Sequence, residues 1–274
     1  MTGQSAISFD DLVRALALPD RARVDQRVPK KMLAEHGAPT ATDRRLLTDG
    51  IEELQWIAAL KPGTVAIPEY RDDSREYLEV AVLGVHVRAT HSKPSQLLRL
   101  AELVHRAVPY PLLLIQALAA PAGSGPAYLA LSLAHKRAAQ NEAGKVVLDG
   151  ELVRIELNTP EGGGAAVAAA VEPLLAALEL DRQPHQDLMA LYQGWMDCLT
   201  AADAARITGR FRLVRDASQA TTRREVLRTC QRLELESAHL RALAAKEKQM
   251  AKQVDLNLAL KRIGAELLSI REQL

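Results

Sequence analysis

The sequence predicts an α+β protein: a mixed β-sheet with covering helices, followed by more helices and a long C-terminal amphipathic, coiled-coil-like helix. Apolar segments with strand-like patterns lie between Tyr77 and Leu157, and segments with helical periodicity flank them. From Thr222 to Gln273 the chain has no proline and one glycine, Gly264. We therefore expect an α/β body with N-terminal helices (1–157), a helical connector (158–221) and a long C-terminal helix (222–274).

Composition and charge narrow the possible classes of protein. A chain of 274 residues with 48% hydrophobic residues can bury one sizeable core. The net charge of +1 means that binding to nucleic acid or membrane would need local patches. Aromatic residues make up only 3% of the chain, so a base-stacking surface is not expected. The absence of a signal pattern, a spanning segment and a CxxC pair favours a cytoplasmic protein without membrane contact.

The N-terminal region is predicted to be mainly helical. Phe9–Leu18 has apolar residues at helical spacing and ends before a proline. Thr42–Leu60 is predicted as a second helix, with Trp56 as its core anchor. Arg21–Lys31 is rich in basic residues and is interpreted as a solvated linker, with a phosphate-contacting arm as the alternative.

The sheet is predicted from the centre of the chain. Tyr77–Val87 alternates β-branched residues as a strand does, and Pro94–Val108 has a helical apolar stripe. Two apolar runs, Pro111–Ala119 and Ala127–His135, follow as further strands. Asp149–Gly150 is the kind of dipeptide found in two-residue hairpin turns, so a hairpin is expected around it.

The region after the sheet is predicted to be helical. The glycine-rich segment NTPEGGG (158–164) contains neither GxxxxGK[ST] nor GxGxxG and is interpreted as a connector rather than a phosphate loop. An alanine-rich helix ending near Leu180 and a helix over Gln186–Ile207 follow. No cofactor is predicted from these segments.

The sequence contains no recognisable motif for a catalytic or metal-binding site. The seven histidines form no HExxH pattern, and no GxSxG or Cys/His signature is present. A restriction-type nuclease would need a carboxylate on one strand and an acid-any-lysine pair on the next. Glu79, His135 and Lys136 are the nearest approach and are interpreted as edge or surface residues. We expect no catalytic residues, although a degenerate nuclease stays an alternative.

A dense group of arginines follows the second connector helix. A charge run of this kind is usually solvated or contacts an acidic partner, and nucleic-acid binding is the alternative. The candidate nucleic-acid-binding residues are Arg206, Arg210, Arg212, Arg215, Arg223, Arg224 and Arg228.

The C-terminal helix carries an apolar seam with nearly heptad spacing. Such a seam must fold back on the protein or pair with another chain, because it cannot remain in water. We predict that it binds a protein partner, and the candidate contact residues are Leu233, Leu240, Leu243, Met250, Val254, Ile263 and Leu267.

Three segments resemble a bacterial family of unknown function. They are RVPKKMLAEHG (27–37) followed by TDRRLLTDGIEELQWIAALKPGTVAIP (42–68), VPYPLLLIQAL (108–118) and KEKQMAKQVDLNLALKRIGAEL (246–267). Members of that family are encoded beside Swi/Snf-type helicases and DNA methyltransferases resembling type III modification enzymes, in restriction or anti-phage clusters. The resemblance implies an accessory subunit in DNA-centred defence, whose partner is a helicase, a methyltransferase or a second copy of the chain, with direct contact to DNA possible.

Overall fold

The computed structural model describes residues 7–118, 128–139, 146–158, 165–214 and 216–274. Within these ranges the strands are β1 Arg23–Arg27, β2 Ile51–Leu60, β3 Tyr70–Arg71, β4 Glu76–Tyr77, β5 Val80–Val87, β6 Leu112–Leu118, β7 Tyr128–Ala138 and β8 Val146–Asn158. The helices are α1 Phe9–Ala15, α2 Lys30–Gly37, α3 Ala41–Gly50, α4 Pro62–Val65, α5 Pro94–Ala107, α6 Ala165–Ala177, α7 Leu188–Thr208, α8 Ala217–Lys246 and α9 Met250–Arg271. The predicted mixed α+β class is confirmed.

A mixed sheet with strand order β1-β2-β5-β6-β7-β8 forms the centre of the protein. β5 and β6 are parallel because α5 carries the chain back across one face, and the other neighbouring pairs are antiparallel. β3 and β4 form a separate two-stranded ribbon. The central strands β5 and β6 are almost completely buried, as strands covered on both faces must be.

Helices cover both faces of the sheet and create two apolar layers. α1, α6 and α7 pack on one face, and α2, α3 and α5 pack on the other. Residues 158–221, predicted as a connector, therefore contribute α6 and α7 to the core. Gly84 shows how closely α1 approaches the sheet, because a Cβ atom at this position would lie 2.4 Å from the Phe9 ring.

Two predicted elements near the N-terminus are wrong. Thr42–Leu60 is not one helix, because α3 ends at Gly50 and the chain continues as β2. Trp56 accordingly lies half-buried on a strand, where its Nε1 donates to the backbone oxygen of Ala58 at 2.9 Å. Short apolar runs fit either periodicity, and pairing of β2 with two neighbouring strands decides the outcome here. Arg21–Lys31 is not a linker either, since it contains the edge strand β1.

The predicted hairpin turn at Asp149–Gly150 is also wrong. β8 continues from Val146 to Asn158, and Gly150 has φ +87° inside it. The register against β7 shifts here, because Leu133 pairs with Val153 whereas His135 pairs with Asp149. Gly150 therefore supplies a left-handed residue for a bulge rather than for a turn.

The predicted long C-terminal helix is divided into α8 and α9, joined by residues 247–249. Glu247 leaves the helical conformation, and its Oε1 accepts the backbone N–H groups of Lys248 and Gln249, each at 2.8 Å. This local side-chain capping breaks the helix without glycine or proline. α9 consequently folds back along α8 as a helical hairpin. None of the described helices is long and apolar enough to cross a membrane.

Candidate functional site

The C-terminal hairpin is held together by a narrow apolar contact between α8 and α9. Leu233 and Ile263 are buried, and Leu240 and Leu267 are half-buried. At the open end, Arg271 binds Glu234 with an N–O distance of 2.7 Å. The hairpin is thus closed by apolar packing along its length and by an ion pair near the C-terminus.

A second apolar stripe runs along the outer face of α9. Met250, Val254 and Leu258 follow one another at four-residue spacing, and their side chains are 78%, 50% and 51% exposed. Leu268 lies 18 residues after Met250, which is five helical turns, and is 67% exposed. Ile263 points to the opposite side of the helix, toward α8. A helix that is apolar on two opposite faces is normally buried on both.

α8 adds exposed apolar side chains to the hairpin. Leu235 and Leu243 are exposed, and Leu243 lines a groove at the tip together with Leu256. Charged side chains of Lys246, Glu247, Lys252 and Asp255 border this groove. We name the exposed residues Leu243, Met250, Val254, Leu258 and Leu268 the hairpin surface. At the tip, the apolar side chains are bordered by charges, an arrangement that is typical of protein-binding surfaces.

The structure divides the seven candidate partner-binding residues into two groups. Leu233, Leu240, Ile263 and Leu267 lie between the two helices, where they hold the hairpin together. Leu243, Met250 and Val254 belong to the hairpin surface. The periodicity does not separate these groups, because a seam and its opposite face can both have four-residue spacing. Leu258 and Leu268 are missed by the sequence pattern for the same reason.

Most of the candidate nucleic-acid-binding arginines are engaged within the protein. Arg224 binds Asp197 at 3.1 Å, Arg228 binds Glu151 at 2.8 Å, and Arg206 lies 3.8 Å from Asp203. Arg223 is buried and donates to the backbone oxygen of Arg212 at 2.5 Å. Arg210 and Arg212 are exposed, and Arg215 lies outside the described residues. Arg223, Arg224 and Arg228 therefore attach α8 to the body, whereas Arg206 pairs within α7.

A polar network that the sequence did not reveal joins the sheet to α8. The Tyr77 hydroxyl donates to His135 Nδ1, and His135 Nε2 donates to Gln193 Oε1 at 2.8 Å. Gln193 in turn donates to Asp197 Oδ1 at 2.8 Å, where Arg224 also binds. Burial lowers the pKa of His135 and raises that of Asp197. Burial thus favours neutral His135, and the network positions the Asp197 carboxylate to which Arg224 of α8 binds.

The three residues considered for a nuclease do not form a common site. Glu79 binds Lys61 at 3.0 Å, and His135 belongs to the network described above. Lys136 lies on the opposite face of β7, where its Nζ donates to the backbone oxygens of Val108 and Tyr110. Burial lowers the pKa of Lys136 to about 7. These hydrogen bonds give Lys136 a structural role in tying β7 to the segment before β6.

The remaining nucleophile and metal-ligand candidates are also accounted for. Cys198 and Cys230 are buried as free thiols, and burial raises the pKa of Cys198 to about 12, so it is protonated at neutral pH. Within the described ranges, His, Cys, Asp and Glu residues form no group of three able to hold a metal ion.

Comparison with known proteins gives a family and no described function. No curated protein sequence and no solved structure matches the chain significantly. The family described as Domain of unknown function (DUF4391) matches residues 16–267, which include the whole sheet and nearly all of the hairpin. The chain therefore belongs to the DUF4391 family.

Proposed function

We propose that this protein is a non-enzymatic accessory subunit of a bacterial DNA-centred defence system, resembling restriction-modification systems. In this proposal it docks a helicase or DNA methyltransferase through the hairpin surface. The observation that most directly supports docking is the exposed apolar stripe of α9. It is made by Met250, Val254, Leu258 and Leu268. The kind of partner is supported by the resemblance of the basic opening segment and the closing helix to a family encoded beside such enzymes.

The position of the stripe favours docking over a second role in folding. The face of α9 that contains Ile263 already stabilises the hairpin against α8. The outer stripe points away from this contact, and Met250 is more exposed than any other large apolar residue of the described chain. Covering the stripe with a complementary apolar groove would remove it from water and supply binding free energy, as in helix-in-groove recognition.

The test is co-purification of the full chain with a Swi/Snf-type helicase and, separately, with a DNA methyltransferase resembling type III modification enzymes. Val254→Glu should weaken the complex by roughly a hundredfold, because a carboxylate would be placed in an interface that excludes water. Glu266→Lys is the matched control, since Glu266 is exposed on the same helix outside the stripe. Its effect should stay below about 1 kcal/mol.

Two results would contradict this proposal. If Val254→Glu and Glu266→Lys weaken binding equally, charge rather than apolar burial holds the interface. If the chain binds neither enzyme but sediments as a dimer that Val254→Glu dissociates, the stripe pairs with a second copy and the docking role is rejected. Circular dichroism of both variants checks that the helices are retained.

A further inference from the structure

A separate basic surface is formed where β1, α2, α3 and the turn after β5 meet. The Lys30 Nζ donates to the backbone oxygens of Ile51 at 2.7 Å and Thr48 at 3.2 Å, which ties the start of α2 to the junction of α3 and β2. The Arg88 backbone N–H donates to the oxygen of Gly50 at 2.8 Å and brings the turn to the same junction. We name the following residues the basic surface: Arg27, Lys30, Lys31, Arg44, Arg45 and Arg88.

Most residues of the basic surface line concavities of the protein. Arg27 and Lys30 line one concavity beside Val28 and Leu54, and Lys30 also lines the next one together with Lys31 and Arg44. The two concavities lie next to each other because Pro29 and Lys30 line both, and together we call them the groove. Arg45, the next residue of α3, lines a third concavity together with His91.

The cations of the basic surface are only partly neutralised. Glu35 lies 3.7 Å from Lys31 and Glu53 lies 3.9 Å from Arg27, and all four side chains are largely exposed. Asp49 and Glu52 are the other carboxylates close to Lys30. Burial lowers the pKa of Lys30, and the positive charges of Arg88 and Arg27 add to this effect. The groove therefore contains cations that repel one another.

Three arginines of the basic surface are free to bind an external anion. Arg44, Arg45 and Arg88 are exposed, and no carboxylate of the described chain pairs with them. The contrast with α8 is direct, because the charges of Arg224 and Arg228 are matched by Asp197 and Glu151. Arg44 lines the groove, and Arg45 lies beside it on α3. Exposed, unpaired guanidinium groups in and beside a groove suit an extended polyanion, since each can form paired hydrogen bonds with a phosphate.

We propose that the basic surface binds the phosphate backbone of a nucleic-acid duplex without reading its bases. No aromatic side chain of the described residues lines the groove, so it lacks a platform on which the bases of a single strand could stack. Hydrogen bonds from arginine and lysine to phosphates fix position on a duplex and carry no sequence information. This role is independent of the hairpin surface and places nucleic acid on the body of the protein, away from the arginines of α8.

The experiment measures binding of the full chain to a fluorescent 30-base-pair DNA duplex of random sequence over 50 to 200 mM salt. The variant Arg44→Gln, Arg45→Gln, Arg88→Gln removes three charges while keeping long polar side chains. We expect the slope of log affinity against log salt to fall by about 0.9 for each phosphate that is no longer neutralised, and affinity at 50 mM salt to fall at least roughly tenfold.

The matched control is Arg210→Gln, Arg212→Gln, Arg241→Gln, which removes three exposed arginines outside the basic surface. It should keep the wild-type salt slope. Equal loss of affinity in the two triple variants would show general charge attraction and overturn the proposal, as would the absence of duplex binding by the wild type at 50 mM salt. Binding of polyglutamate but not of the duplex through Arg44, Arg45 and Arg88 would assign the surface to an acidic protein instead.

Discussion

α7 and α9 have similar lengths and opposite surroundings. Both helices carry apolar residues on more than one face. In α7 these faces are covered on all sides, so that Leu191, Tyr192 and Trp195 are completely buried. In α9 only the side facing α8 is covered, and Met250 and Leu268 remain largely exposed. The body thus covers its own apolar residues, whereas the hairpin leaves one of its apolar faces available to another molecule.

The difference follows from what surrounds each helix. α7 lies between the sheet and neighbouring helices, and the hydroxyl of Tyr192 reaches the backbone of both Leu112 and Ala134. α9 touches essentially α8 alone, because the turn at Glu247 sends it back along one neighbour. Substitutions in α7 should therefore affect mainly the free energy of unfolding, whereas substitutions on the exposed face of α9 should affect mainly binding.

The largest effect on stability is expected for Trp195→Ala. The Trp195 side chain is completely buried, and its Nε1 donates to the backbone oxygen of Leu178 at 2.9 Å. Its removal would leave a cavity and an unpaired carbonyl, so the free energy of unfolding should fall by about 3–5 kcal/mol. Urea denaturation followed by circular dichroism measures this. A fall of less than about 1 kcal/mol would mean that α7 is not a core helix.

The second effect concerns the pH dependence that Lys136 gives to the body. Its folded-state pKa is lowered to about 7 from an ordinary value of 10.5, so the unfolded chain binds more protons between these values. The contribution of Lys136 to the free energy of unfolding therefore rises with pH above 7 and is smallest below pH 7. The wild type should gain about 2 kcal/mol more than Lys136→Met between pH 7 and pH 9. If the free energies of unfolding of the two proteins change with pH in parallel, the pKa of Lys136 is not lowered in the folded protein.

A smaller loss of stability is expected for Arg224→Ala, which tests the attachment of the hairpin to the body. Asp197 would keep its hydrogen bond from Gln193 but lose the cation that compensates its burial. Because both side chains of the pair are partly solvated, we expect about 1–2 kcal/mol. The variant Arg224→Ala with Asp197→Asn should recover most of this stability. Failure to recover it would show that Arg224 acts through packing rather than through Asp197.

The smallest effect on stability is expected for Met250→Ala. The exposed side chain packs against little of the chain, so the free energy of unfolding should change by less than about 0.5 kcal/mol. Ile263→Ala, on the opposite side of α9, is the comparison and should destabilise the hairpin clearly more. Hydrogen exchange of α9 distinguishes the two variants. Equal protection in both would remove the distinction between the inner and outer faces of this helix.

Elements with long, unambiguous periodicity are predicted well from the sequence. α5 extends over Pro94–Ala107 and is predicted within one residue of its end, because its apolar stripe and initial proline act locally. β5 and β6 are found from their β-branched or continuous apolar runs. β2 is missed because its apolar residues also fit helical spacing and only its pairing with β1 and β5 distinguishes a strand.

The sequence indicates part of the hairpin surface. Leu243, Met250 and Val254 are predicted as contact residues and are exposed on this surface, and their contact with a partner stays a prediction. The seam does not indicate that Leu233 and Ile263 are used within the chain, since this depends on the fold-back at Glu247. Likewise, the density of arginines on α8 is visible in the sequence, whereas their pairing with Asp197 and Glu151 joins residues distant in the sequence.

The sequence by itself determined the α+β class, the apolar character of the strands and the amphipathic C-terminal region, because these depend on residue type and local spacing. The tertiary structure decided which apolar faces and which charges remain available. Ile263 and Val254 are both apolar residues of α9, yet only the first meets α8. Arg224 and Arg44 are both arginines, yet only the first meets a carboxylate of the described chain. Availability depends on neighbours brought together by the fold, and local spacing does not specify them.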